Sequence, residues 1–204
     1  MPKRNLSRAA VIQAAAELLD ECAGSELKLS DLAARLGVRV PSLYNHVDGA
    51  DDLKAGVALY GLEELRDRLA NAAIGRAGED ALLAIASAYR SFAKERPGLY
   101  TPTLRAPAPD DTARIAASDE IIMILRRVLE PFDLSDEDTI HVIRGLRSLL
   151  HGFVSLELAG GFGIPLDVDE SFHRLIRVYL DGLRDESADL TPIGGREHGD
   201  VTRG

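Results

Sequence analysis

The chain has 204 residues, 46 % of them hydrophobic and 28 % charged, which is enough apolar content to bury a core and too much for a disordered polymer. One cysteine, Cys22, excludes an internal disulfide; the Met-Pro-Lys-Arg-Asn start lacks the apolar run of a secretion signal, and no stretch is free enough of charge to span a membrane, so the expected location is the cytoplasm. A formal net charge of −9 argues against indiscriminate binding to polyanions, yet residues 1–55 carry seven basic against eight acidic side chains while the remainder carries seventeen against twenty-five.

The first expected helix bears Val11, Ala15, Leu18 and Cys22 on its apolar side, so Cys22 is expected to be a buried small hydrophobe. Leu29, Leu32, Ala33 and Leu36 then recur at helical spacing, and Gly37 is suited to a left-handed helix end with Val38 plugging the corner. Pro41 opens a second short helix, whose Leu43 and Val47 point inward and whose Ser42, Tyr44, Asn45 and His46 face outward. Two helices around a tight turn, the second presenting compact hydrogen-bonding side chains, are what reading a DNA major groove requires. An ordinary helical corner is the bland alternative.

Residues 50–70 read as a long helix with Leu53, Val57, Tyr60 and Leu65, interrupted by Gly75 and Gly78, and residues 80–96 as another, ended by Pro97-Gly98. Pro102, Pro107 and Pro109 limit the following passage to a turn or two before helix resumes over 110–129, with Pro131 just past its end. Ser135 with Asp138 resembles a capping box and opens the longest apolar helix, to about Ala159, stopped by Gly160-Gly161-Phe162-Gly163. A last helix covers 168–183, and the polar, glycine-rich 187–204 has no period and is expected to be a disordered tail.

Within the longest helix Gly145, Ser148, Gly152, Ser155 and Ala159 step by three and four residues, a groove of small side chains where a second copy of the helix could approach. Packing of another helix of the same chain is the alternative. Beside it runs a polar stripe, Arg144, Arg147 and His151, read either as solvent face or, at Arg147 or His151, as reaching a ligand cavity. Tyr89, Phe92, Met123 and Phe153, together with Arg147 and His151, are the candidate pocket residues, although aromatic residues at helical spacing commonly belong to a core. His46, His141, His151, His173 and His198 have no zinc-site spacing, and no nucleophile elbow or phosphate-cradling glycine loop is present, so neither metal, cofactor nor enzymatic chemistry is expected.

Residues 7–55 resemble the DNA-binding domain of the TetR family of bacterial transcriptional regulators. Ser7 to Cys22 resembles that family's first helix, Leu32-Ala33 with Leu36-Gly37-Val38 its second helix and turn, Pro41-Ser42-Leu43-Tyr44 with His46-Val47 its recognition helix, and Leu53 falls in the fourth. Arg147 to Glu157 resembles the His-Gly segment of the WHG subgroup, with Arg147 where some members carry tryptophan.

The resemblance implies an all-α protein with an N-terminal three-helix helix-turn-helix domain over 1–55 and a larger effector-binding and dimerisation domain over 56–186. It implies a homodimer on a double-stranded operator, released by a small-molecule effector, with no membrane partner. Ser42, Tyr44, Asn45 and His46 would face DNA with Arg39 and Val40 before them, Lys28 nearby, and Lys3, Arg4 and Arg8 along the backbone. One departure stands out: where family members often hold a phosphate with lysine, this chain has Ala50 followed by Asp51 and Asp52. Two other readings remain, a helical enzyme or ligand carrier with an unused helix-turn-helix, and a DNA-binding protein without an effector.

Overall fold

The computed structural model describes residues 6–22 and 27–189, with side chains to Arg184, and in them the chain is helical without strands. The head comprises α1 (Arg8–Glu21), α2 (Leu29–Leu36) and the single-turn α3 (Val40–Leu43). Ser7 caps α1 by accepting the Ala10 N–H at 3.2 Å, and Val11, Ala14, Ala15 and Ala16 turn inward. Cys22 does not join them. It caps the C-terminus of α1 and is exposed, because the chain leaves the helix there and the apolar stripe stops at Leu19.

Gly37 ends α2 at φ +68°, and the Val38 N–H returns to the Ala33 carbonyl at 3.0 Å, the closure that a left-handed residue permits. Only Gly37, Val38 and Arg39 separate α2 from α3, which begins at Val40 with Pro41 in its first turn and passes into turns that carry the chain to Val47. Leu32, Leu43, Val47 and Leu53 are buried against Val11 as the sequence pattern requires.

The body is built on α4 (Ala50–Ala73), which runs without a break from the head past residue 55. Around it lie α5 (Gly78–Glu95), α6 (Pro97–Thr103), α7 (Thr112–Leu129), α8 (Asp136–Leu158) and α9 (Val168–Asp189). Helix α9 includes residues 187–189 of the expected tail; the rest of that tail lies outside the described residues. Ser135 caps α8 as its sequence predicts, accepting the Asp138 N–H at 3.1 Å, and Gly160 at φ +69° ends it.

Helix α6 is wedged between α1 and α4, and two glycines make the approach possible. A Cβ on Gly98 would lie 2.3 Å from the Leu19 carbonyl carbon, and one on Gly61 would lie 2.9 Å from the Leu99 carbonyl oxygen. Asp20 accepts the Gly98 N–H at 2.8 Å, while Arg96 binds Asp20 at 2.6 Å and Glu64 at 2.7 Å, closing a charged clasp among the three helices. Farther out, buried Arg90 of α5 meets Glu157 of α8 through two 2.7 Å hydrogen bonds, reaches Asp169 of α9 at 2.7 Å, and stacks over Phe172. Phe153 packs on Phe172 with ring centroids 5.1 Å apart, which seats α9 against α8 and α5.

Candidate DNA-reading surface and effector cavity

The short α3 cannot hold itself in water, so its presentation depends on Leu43 and Val47 being anchored in the head core. That leaves Tyr44 half exposed, Asn45 exposed, and Ser42, His46 and Val40 partly covered on the outer side. Arg39 at the start of α3 and Lys28 at the start of α2 are exposed and have no carboxylate partner among the described residues. Lys3 and Arg4 lie outside those residues.

Arg8 is not a free phosphate contact. Its guanidinium holds both oxygens of Asp52 and donates to the His46 carbonyl at 3.3 Å, so it braces α1 against α4 and the turn after α3. Asp52 also accepts the Asp48 N–H at 2.9 Å; the Arg8 fork first, and that N–H second, hold its carboxyl at about 2. The acidic departure at the start of α4 is therefore partly neutralised from within.

Behind the head, α4, α5, α7 and α8 and the loop after α6 enclose a cavity of about 380 Å³. Its walls are mostly aliphatic, with Ile85, Ile121, Ile122, Leu125 and Ile143 prominent. Tyr89 lines it, as does Arg147, which donates to the Leu104 carbonyl at 3.2 Å. Burial pushes the Tyr89 phenol up, against the opposing influence of the Tyr100 hydroxyl and the Arg147 charge.

The other candidate pocket residues lie elsewhere. Phe92 is fully buried beneath the Arg68 guanidinium, Phe153 belongs to the Arg90 cluster, and Met123 projects from α7 into solvent with 53 % exposure. His151 does not line the cavity but is linked to it, since its Nδ1 meets the Tyr100 hydroxyl at 2.6 Å and that hydroxyl meets Tyr89 at 3.1 Å.

Arg105, Arg144, Thr103 and Ser118 complete the polar part of the lining and were not among the sequence candidates. Arg144 was visible in the polar stripe of α8, one helical turn before Arg147, whereas Arg105 sits in a proline-flanked loop with no period to reveal it.

The small-residue stripe divides. Gly145 is occupied within the chain: a Cβ there would lie 2.7 Å from the Tyr179 hydroxyl of α9, which donates to the Val142 carbonyl at 2.7 Å. Among the described residues nothing outside its own helix lies within 4 Å of a Cβ at Gly152, Ser148 and Ala159 are exposed, and Ser155 is partly covered. Beside them Leu149, Leu175, Val178 and Tyr179 line an open apolar groove between α8 and α9, with Val178 70 % exposed.

Comparison with known proteins agrees with this architecture. Residues 82–179 match the family model described as the tetracyclin repressor-like C-terminal domain. The WHG subgroup suggested by residues 147–157 is not confirmed by that match. The HTH-type transcriptional regulator YobS of Bacillus subtilis is 36 % identical over 182 residues, covering 89 % of this chain and 95 % of that one. The HTH-type transcriptional regulator Rv0681 of Mycobacterium tuberculosis is 35 % identical over 172 residues, covering 84 % and 78 %. In fold the chain is similar to a protein described as a possible TetR family transcriptional regulator from Streptomyces coelicolor A3(2), with a TM-score of 0.65 at 22 % identity over 88 % of this chain and 100 % of that one. With a helix-turn-helix head, a tetracyclin repressor-like C-terminal match and regulator relatives covered over 95 % and 78 % of their length, the chain belongs to the TetR family of transcriptional regulators.

Proposed function

We propose that the protein is a ligand-responsive repressor that binds a palindromic operator as a cytoplasmic homodimer. The observation that carries this reading is the shared framework of cavity and head: α4 both lines the cavity at Leu62 and Leu69 and packs on α1, while α6 docks on α1 immediately before the cavity's loop. A ligand filling the cavity has a physical route to the recognition surface, provided it binds two head positions with different affinity. The open groove between α8 and α9 supports dimerisation through those helices, and a twofold dimer would set two recognition helices about 34 to 36 Å apart for successive major grooves.

The test combines two variants in an electrophoretic shift assay on the DNA upstream of the protein's own gene. Tyr44→Ala and Arg39→Ala should each weaken operator binding by about 1 to 3 kcal/mol while helicity and assembly stay unchanged. Unaltered affinity in both would remove this surface as the reading head. Gly152→Leu should yield monomer on sedimentation, and because among the described residues nothing outside its own helix lies within 4 Å of a Cβ there, the loss would report on a contact between copies. A folded dimer from that variant would place the interface elsewhere.

A further inference from the structure

The cavity carries an imbalance that its role as an effector site does not by itself require. Arg105, Arg144 and Arg147 all line it, and among the described residues no aspartate or glutamate does. Among the described residues none of the three guanidinium groups has a carboxylate partner, although the chain is strongly acidic and places carboxylates on most of its other arginines, including Arg66, Arg68, Arg90 and Arg96. Arg147 spends one nitrogen on the Thr103 and Leu104 carbonyls; Arg105 is held only by its backbone, whose carbonyl accepts from Arg114 at 2.8 Å.

The remaining polar groups of the lining are already engaged. Thr103 donates to the Tyr100 carbonyl at 2.7 Å, Ser118 donates to the Arg114 carbonyl at 2.8 Å, and Tyr89 shares its hydrogen bond with Tyr100. What the site offers a newcomer is therefore unspent cationic donors at the rim of an aliphatic chamber. Arg144 and Arg147, one turn apart on α8, lie on one face of that helix and can converge on a single group. A guanidinium fork matches a carboxylate in shape and charge, so an anion bound there gains charge-assisted hydrogen bonds from donors that no carboxylate of the described residues has claimed. The volume, about 380 Å³, is at the small end of the range for ligand pockets and excludes a bulky polycycle.

We propose that this cavity takes a small amphipathic monocarboxylate, its aliphatic body among the isoleucines and its headgroup at Arg105, Arg144 and Arg147. The inference rests on the cavity being the effector site of the proposed repressor, but its chemistry can be tested apart from that. Isothermal titration of the full-length protein with decanoate, decan-1-ol, decylamine and decyl phosphate, the alcohol below its solubility limit and the others below their micellar concentrations, should give binding to decanoate at least tenfold tighter than to the alcohol or the amine. Arg144→Gln should weaken decanoate about tenfold and leave decanol unchanged, with Arg144→Lys recovering part of the loss. Arg144 is the cleaner site to vary because, unlike Arg147, it makes no hydrogen bond to α6 that the fold could miss. Equal binding of alcohol and carboxylate, tighter binding of the amine or the phosphate, or no effect of Arg144→Gln would each overturn the proposal.

Operator binding separates the two readings. A protein that shifts its operator but ignores decanoate refutes the ligand class and leaves the repressor; one that binds decanoate selectively yet holds its operator unchanged keeps the ligand chemistry and refutes the repressor's use of this cavity.

Discussion

Gly98→Ala probes the contact through which the proposed repressor would couple body to head. The added methyl would start 2.3 Å from the Leu19 carbonyl carbon and 2.4 Å from the Asp20 nitrogen, both backbone atoms that cannot rotate aside. Relief requires α6 to withdraw from α1 by roughly 1 Å, an overpacking strain that typically costs ~1–3 kcal/mol. Withdrawal also lengthens the hydrogen bond from the Gly98 N–H to the Asp20 carboxylate, a charge-assisted contact worth ~1.5–3 kcal/mol when intact. Some of each will be recovered by relaxation, so a net loss of about 3 kcal/mol is expected, which for a chain of this length lowers Tm by ~6–12 °C. Scanning calorimetry and urea unfolding would measure it. The same variant should bind its operator with less sensitivity to ligand, because the α6 contact with α1 is loosened. A Gly98→Ala protein with the parental Tm would refute the reasoning, since it would mean that α6 does not press on α1 in solution.

Three further outcomes follow from the charges and geometry. Glu157 is held at about 2, first by its hydrogen bonds to Arg90 and then by Lys94, so the stability it contributes is present above its ordinary value near 4.5 and lost as pH falls toward 2. Glu157→Gln should cost about 3 kcal/mol at pH 7 in chemical unfolding, with the gap to the parent closing across that acid window; a gap independent of pH would refute the assignment. Asp52→Asn should free the Arg8 guanidinium while retaining an acceptor for the Asp48 N–H, so operator affinity should fall more steeply with salt, by about 0.9 in the log–log slope per recruited phosphate contact. An unchanged slope would show that Arg8 does not face DNA even when released. Inserting five base pairs between the operator half-sites should abolish tight binding by turning one half-site to the opposite face of the duplex, and equal footprints on both sites would exclude a rigid pair of heads.

The helix-turn-helix was legible because its instructions are local. Gly37 fixes the turn, Pro41 suits the first turn after it, and Leu43 and Val47 set which side is hidden, all within eleven residues. The Arg8 to Asp52 brace was not legible, since nothing in a single sequence couples residues 44 apart. Periodicity likewise marked Tyr89 and Arg147 but gave Met123 and Phe92 the same standing, because an apolar residue on a helix has no label saying whether it meets solvent, core or cavity. Gly145 and Gly152 illustrate the same limit: one spacing rule groups them, yet the first accommodates Tyr179 of its own chain and the second stays open.

The continuity of α4 has a mechanical consequence. Its 24 residues make a rod of ~36 Å with Leu69 near the cavity end and Asp52 near the recognition turn, so the side chains that would sense a ligand and those that brace the head sit on opposite arms of one stiff lever. A tilt of only ~5° about the cavity end would carry the other end by ~3 Å. In a twofold assembly both arms swing, and a change in side-chain packing too small to disturb the core would be read out as a misfit between two recognition helices and two fixed grooves.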